Sequence, residues 1–207
     1  SVASFATRSA DSRITDSAAA STAFATGRKV NNGVISMALP GTGAALQTVL
    51  EYFKSKGKRT GLITTSFLTD ATPAAFAAHE ISRLNRDPIA SDYLTTSRPD
   101  LLLGGGGEGL TAARAAAAGY QVVSNRLQLA SLSSSTPGPI CGIFGTQALP
   151  YEYDGLGDFP HLTEMLASAL KILEDAPAGF FLMVEGGLID RASHLNDLER
   201  CLPEVVE

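Results

Sequence analysis

The sequence is short of the features that define several protein classes. It has two cysteines, Cys141 and Cys201, neither in a CxxC pair nor next to a histidine. A thiolate-built zinc site is therefore not expected, and two separate thiols are. No run approaches the roughly 18 consecutive apolar residues of a membrane span, so none is predicted. Basic residues are not in excess: 16 Lys and Arg stand against 21 Asp and Glu, a net charge of −5. That balance gives no electrostatic reason to expect nucleic acid or an anionic membrane surface as a partner. There is no internal repeat, no methionine at position 1, and nothing near Ser1 with the charged start and apolar centre of a signal peptide. The final stretch HLNDLERCLPEVVE reads as a helix with no stop signal. Both ends are expected to be cuts from a longer chain, which leaves location open.

What is present suffices for a substantial core: 44% of 207 residues are hydrophobic and the mean hydropathy is +0.11. Short apolar runs at 59–66, 100–106, 120–125, 140–145 and 179–187 read as buried strands. Helical patterns lie at 18–27, 43–57, 73–84, 109–119 and 162–175. Continuous apolar strands alternating with amphipathic helices predict an α/β fold, a three-layer α/β/α sandwich on a mainly parallel sheet. The whole of 1–207 reads as one such domain, incomplete at both termini. The stretches 126–139 and 150–159 are expected to be surface connections. Ligands of open α/β sheets bind beyond the carboxyl ends of the strands, which nominates Asp70, Thr72, Glu185 and Asp190 on position alone.

Three segments carry candidate chemistry. In ITDSAAASTAFATG (14–27), Ser17 follows Asp16 at the start of an alanine-rich helix. A capping hydroxyl is the economical reading, but the same geometry gives a hydroxyl in positive potential beside N–H groups able to hold a phosphate. In TTSFLTDATPAAFAAHEISR (64–83), Asp70 and Thr72 close a loop, Pro73 suits a first helical turn, and Arg83 is expected about three turns along. In FFLMVEGGLIDRASHLND (180–197), Asp190 and His194 are spaced i, i+4 and share a helix face. A carboxylate and an imidazole so presented suit zinc, while Glu185 and a threonine hydroxyl suit magnesium.

Together these segments resemble the alkaline phosphatase family. TDSAA at 15–19 resembles its nucleophile block, the second segment with Arg83 its next block, and FFLMVEGGLID followed by His194 its third. DLLLGGGG (100–107) is similar to the glycine-rich strand between the last two. The resemblance implies hydrolysis of phosphate monoesters through a phosphoserine on Ser17, with Asp16 beside it and Arg83 clamping two phosphate oxygens. It also implies two zinc ions flanking the reaction, with Ser17 at one and Asp190 and His194 at the other. A magnesium ion would sit on Thr72 and Glu185, with Asp70 and Arg191 supporting the first ring of ligands. A salt bridge from Arg191 to Asp70 is expected in this chain. Phosphate monoesters and inorganic phosphate are the implied ligands, and a periplasmic or extracellular homodimer the implied setting.

The family's remaining ligands, an Asp before the nucleophile block and further His and Asp residues after the third, have no counterpart here. Of three histidines only His194 falls on a ligand position; His79 is expected to be structural and His161 a surface or capping residue. The isolated 207 residues are accordingly expected to hold zinc poorly and to be weakly active or inactive. A phosphodiesterase of the same superfamily, a sulfatase and a non-catalytic phosphate- or metal-binding relative are the competing readings. Ala-Ala-Ala after Ser17 speaks against a sulfatase, Arg83 against a diesterase, and Ser17 with Asp16 and Arg83 against a non-catalytic protein.

Overall fold

The computed structural model describes residues 6–207. Five strands form where apolar runs predict them: β1 (Arg59–Phe67), β2 (Leu101–Gly105), β3 (Gln121–Val123), β4 (Ile140–Ile143) and β5 (Phe180–Glu185). They make one sheet in the order β3-β4-β2-β1-β5 with every pairing parallel. Neighbouring strand residues point to opposite faces; the central strands β4, β2 and β1 are dry on both, while the edge strands β3 and β5 keep exposed residues such as Gln121, Phe180 and Val184. Leu62, Leu102, Cys141 and Met183 join one apolar cluster, while Ile63, Leu101, Leu103 and Ile140 join another. Leu101, Leu102 and Leu103 are wholly buried, each worth roughly 1.5–3 kcal/mol over an exposed side chain.

Helices cover the two faces. On the first lie α2 (Val49–Ser55), α3 (Ala71–Ala77), α4 (Arg86–Ser91) and α5 (Ala112–Ala117), through Leu50, Ala74, Ile89 and Ala115. On the second lie α6 (Arg126–Ala130), α7 (Leu162–Leu173) and α8 (Gly187–His194), through Leu129, Met165, Ile172 and Leu188. The α7 core residues Met165, Ala169, Ile172 and Leu173 recur at helical spacing, which makes its inner stripe. Helix α1 (Ser17–Thr26) and helix α9 (Leu198–Val206) complete the α-helices among the described residues, beside a π-helical turn at Asp92–Thr96 and a 3-10 turn at Glu152–Asp154. Cys141 and Cys201 are both free thiols, as expected.

Several boundaries differ from the sequence expectation, each for a local reason. Only 49–55 of the expected 43–57 helix forms, because Thr48 and Glu51 build a reciprocal capping box that starts the helix there. Before it the chain is extended and bridges Met37 to Ala45. The expected 73–84 helix runs instead from Ala71 to Ala77. Residues beyond it pair with an earlier segment: Ile35 bridges Glu80 antiparallel, and Arg83 N donates to Gly33 O at 2.7 Å. Arg83 therefore sits on a loop and not three turns along a helix. The 126–139 connection contains α6, capped by Asn125 and anchored by buried Leu129. The helix expected to run on from His194 breaks at Asn196, whose φ of 53° is left-handed, and restarts after Asp197, which caps Arg200 N at 3.1 Å.

A candidate active-site cleft at the carboxyl ends of the strands

A cleft of about 540 Å³ opens where β1 and β5 end. Ser17, Asp70, Thr72, Arg83, Glu185, Asp190, Arg191 and His194 all line it, so eight of the nine residues nominated from sequence share one space. The ninth, Asp16, reaches it through Arg83, whose Nη1 lies 3.4 Å from Asp16 Oδ2.

Ser17 is the first residue of α1, but it is not the cap. Asp16 fills that role: its Oδ1 accepts from Ala19 N at 2.9 Å and its Oδ2 from Gly33 N at 3.0 Å. The Ser17 hydroxyl has no hydrogen bond among the described residues and is left facing the cleft. A ten-residue helix whose N-terminus points at that space adds a positive end there.

Asp70 organises the opposite wall. It caps α3 through Oδ1 to Ala71 N at 2.8 Å, and the same oxygen takes Arg83 Nη2 at 3.0 Å. Its Oδ2 accepts from the Ser66 hydroxyl at 2.7 Å and lies 3.8 Å from Arg191 Nη2, the expected salt bridge. Arg191 also donates to Ser66 Oγ at 3.2 Å. On α8, Asp190 and His194 face the same way one turn apart, with Nε2 3.6 Å from Oδ2, and both are exposed to an incoming ligand.

Glu185, the last residue of β5, accepts from the Thr64 hydroxyl at 2.6 Å. Burial pushes its carboxyl above the ordinary range, the Asp70 and Asp190 charges add to that, and hydrogen bonds from Thr64 and Thr72 act the other way. No Lys, Arg or His pairs with it among the described residues. A half-buried carboxylate beside two others, with hydroxyl oxygens of Thr72 and Thr64 at hand, is a donor set suited to a hard divalent cation. Asp190 and His194 form a second, separate pair. Glu185, Asp190 and His194 do not converge on one point. Among the described residues, three donors that do lie within 4.8 Å of one another are Glu152, His161 and Glu207, none of which lines the cleft.

Sequence reasoning missed Ser66, Thr64, Ser21, Phe67 and Arg86. Thr64 and Ser66 lie in the TTSF run that ends β1, and strand-end position was the available signal. Ser21, one turn beyond Ser17, donates to Thr72 Oγ1 at 3.2 Å. His79 is structural, as expected: Nδ1 meets Ser36 O at 2.9 Å and Nε2 meets Glu51 Oε1 at 2.8 Å. His161 precedes α7 and is tied to Glu152 Oε2 at 2.8 Å.

The family model for alkaline phosphatase matches residues 1–207. Alkaline phosphatase 3 of Bacillus subtilis (strain 168) is 39% identical over 206 residues, covering 94% of this chain and 44% of its own length. A cold-active alkaline phosphatase from a psychrophilic Shewanella superposes with a TM-score of 0.88 at 36% identity, over 97% of this chain and 50% of that one. A TAB5 alkaline phosphatase mutant solved with Mg bound in its M3 site gives 0.82 at 28% identity, over 96% and 58%. The chain spans a little under half the length of curated relatives it matches, such as two alkaline phosphatases of Bacillus subtilis and one of Schizosaccharomyces pombe.

Proposed function

Because the chain belongs to the alkaline phosphatase family, we propose that this protein hydrolyses phosphate monoesters through a phosphoserine intermediate on Ser17. The observation that carries this is the convergence of the free Ser17 hydroxyl and the Arg83 fork on one cleft with two sets of metal-suited donors. A phosphate dianion approaching a chain of net charge −5 needs local positive charge. Arg83 supplies it as a planar fork able to take two phosphate oxygens, a task a lysine does not copy. Asp16 and Asp70 hold that fork from two sides. The amides of Ser17 and Ala18, without partners among the described residues, add donors at the helix N-terminus.

Ser17 Oγ attacks phosphorus as the ester oxygen leaves, forming one P–O bond and breaking another; water then releases inorganic phosphate and restores the hydroxyl. Thr72 and Glu185 would hold a magnesium ion and Asp190 and His194 one of two zinc ions, with Ser17 beside the other. Cations bound there supply positive charge against the dianion and the Ser17 oxygen. Arg191 and Asp70 keep the surrounding charges in register. Family membership also supports a homodimer acting in the periplasm or outside the cell, testable by light scattering and fractionation.

The deciding experiment is turnover of p-nitrophenyl phosphate and of its bis-ester by the complete polypeptide with zinc and magnesium. Acid-quenched protein should carry labelled phosphate on Ser17. Undiminished turnover by Ser17→Ala would end this assignment, and a preference for the bis-ester would replace it with a diesterase.

A further inference from the structure

Arg86 is a third guanidinium lining the cleft, beside Arg83 and Arg191, and the chemistry above gives it no task. Its position is fixed from three directions. Its backbone is clasped by the glycine-rich loop after β2: a Cβ on Gly109 would fall 2.6 Å from Arg86 O, and Gly109 has φ +92°, so both space and conformation require glycine there. Its head is ion-paired with Glu108, whose own backbone is held by Thr69 Oγ1 donating to Glu108 O at 2.6 Å. Its guanidinium carbon stands 4.8 Å from the centre of the Phe67 ring, and Arg191 stands 5.3 Å from the same ring.

An arginine serving only to neutralise Glu108 would need none of this. Nη1 makes the contact to Glu108, and the fork's other N–H groups have no partner among the described residues. Arg83 differs, since each of its terminal nitrogens already gives one N–H to a carboxylate and its remaining donors are assigned to the phosphoryl oxygens. The Phe67 ring already has two guanidiniums against it, which leaves little room for an aromatic group to stack and leaves the spare N–H donors as the recognition element. Such donors suit an anion, and an anion beyond the phosphoryl group belongs to the leaving group.

We propose that Arg86, held over Phe67 by Glu108 and the 106–109 glycine loop, is a specificity-determining residue that binds a second negative charge on the leaving group. The favoured substrates are phosphate monoesters of alcohols that also carry a carboxylate or another phosphate. This rests on the monoesterase assignment, and the test separates the two. The complete polypeptide is assayed on 3-phosphoglycerate and glycerol 3-phosphate, close in size and differing in one carboxylate. Arg86→Gln should lower kcat/KM at least fivefold more for 3-phosphoglycerate than for glycerol 3-phosphate, and Arg86→Lys should restore part of the difference. Glu108→Gln, which removes the competing carboxylate, should shift the preference further toward 3-phosphoglycerate. Equal losses on both substrates in Arg86→Gln, or an unchanged ratio in both variants, overturns the proposal. Absence of turnover on either substrate by the parent protein would instead count against the monoesterase assignment.

Discussion

Arg83 and Asp70 are joined at 3.0 Å between Nη2 and Oδ1, and the same carboxylate oxygen caps helix α3. The orientation of the arginine is thus tied to the start of a helix whose buried alanines pack into the core. A flexible cation on a loop becomes a fixed one. Charge-assisted hydrogen bonds are worth roughly 1.5–3 kcal/mol, and about 1.4 kcal/mol is tenfold. Arg83→Ala should therefore weaken inhibition by inorganic phosphate about ten- to a hundredfold. Arg83→Lys should recover little, because charge without the fork does not span two oxygens. Competition kinetics against p-nitrophenyl phosphate measure both.

Glu185 sets up a metal-dependent stability. Its half-buried carboxylate lies near Asp70 and Asp190 and has no cationic partner among the described residues, so a cation there relieves an unfavourable charge. Magnesium should raise the thermal midpoint of the protein, and Glu185→Gln should abolish that increment. In chelator the variant should unfold no lower than the parent. A variant that keeps the full magnesium increment would show that the ion binds elsewhere.

Zinc retention should be poor in the isolated 207 residues. Asp190 and His194 supply two donors on a surface turn, and structural or catalytic zinc takes at least three protein ligands. Dialysis followed by metal analysis should find well under one zinc per chain, with turnover correspondingly weak. Tight stoichiometric zinc would reveal ligands that the sequence blocks do not account for.

His79 and Glu51, which do not line the cleft, give a pH-dependent contribution to stability. Nδ1 faces the Ser36 carbonyl and Nε2 faces the Glu51 carboxylate, so both ring nitrogens meet acceptors and the cation suits both. Burial works against the His79 cation, but the hydrogen bonds to Glu51 and Ser36 and the charges of Glu51 and Asp92 outweigh it, and the pKa is raised. For Glu51 burial also works against the charged form, and the hydrogen bond from His79, with those at Thr48, leaves its pKa lowered.

The consequence has a definite sign. A raised histidine stabilises fully below its unfolded value near 6.5 and loses that contribution as pH rises through the folded value; a lowered glutamate stabilises above about 4.3 and loses it as pH falls through the folded value. The deficit of His79→Gln against the parent should be largest near pH 5–6 and shrink toward pH 9, read from thermal midpoints in parallel buffers. A deficit that grows with pH would refute it.

Much of this was legible along the chain. The central strands β1, β2 and β4 announce themselves as apolar runs because a strand dry on both faces has no polar side to show. The metal-suited pair Asp190 and His194 is visible because four residues make about one helical turn. Ser17, Asp70 and Glu185 stand out because they sit where strands end or helices begin, and local sequence encodes those ends.

Where sequence reasoning stopped was at partners distant in the chain. Nothing near Arg83 shows that its helix ends at Ala77, since the hydrogen bonds that draw it away come from Gly33 and Ile35. Thr64 meets Glu185 because β1 and β5 pair in parallel with those two residues in register, 121 positions apart. Phe67 meets Arg86 only once the glycine loop after β2 has closed on the chain. Local propensity settles which segments become strands and helices, while register and loop packing settle which side chains share a cleft, because those depend on free energy summed over contacts that no short window contains.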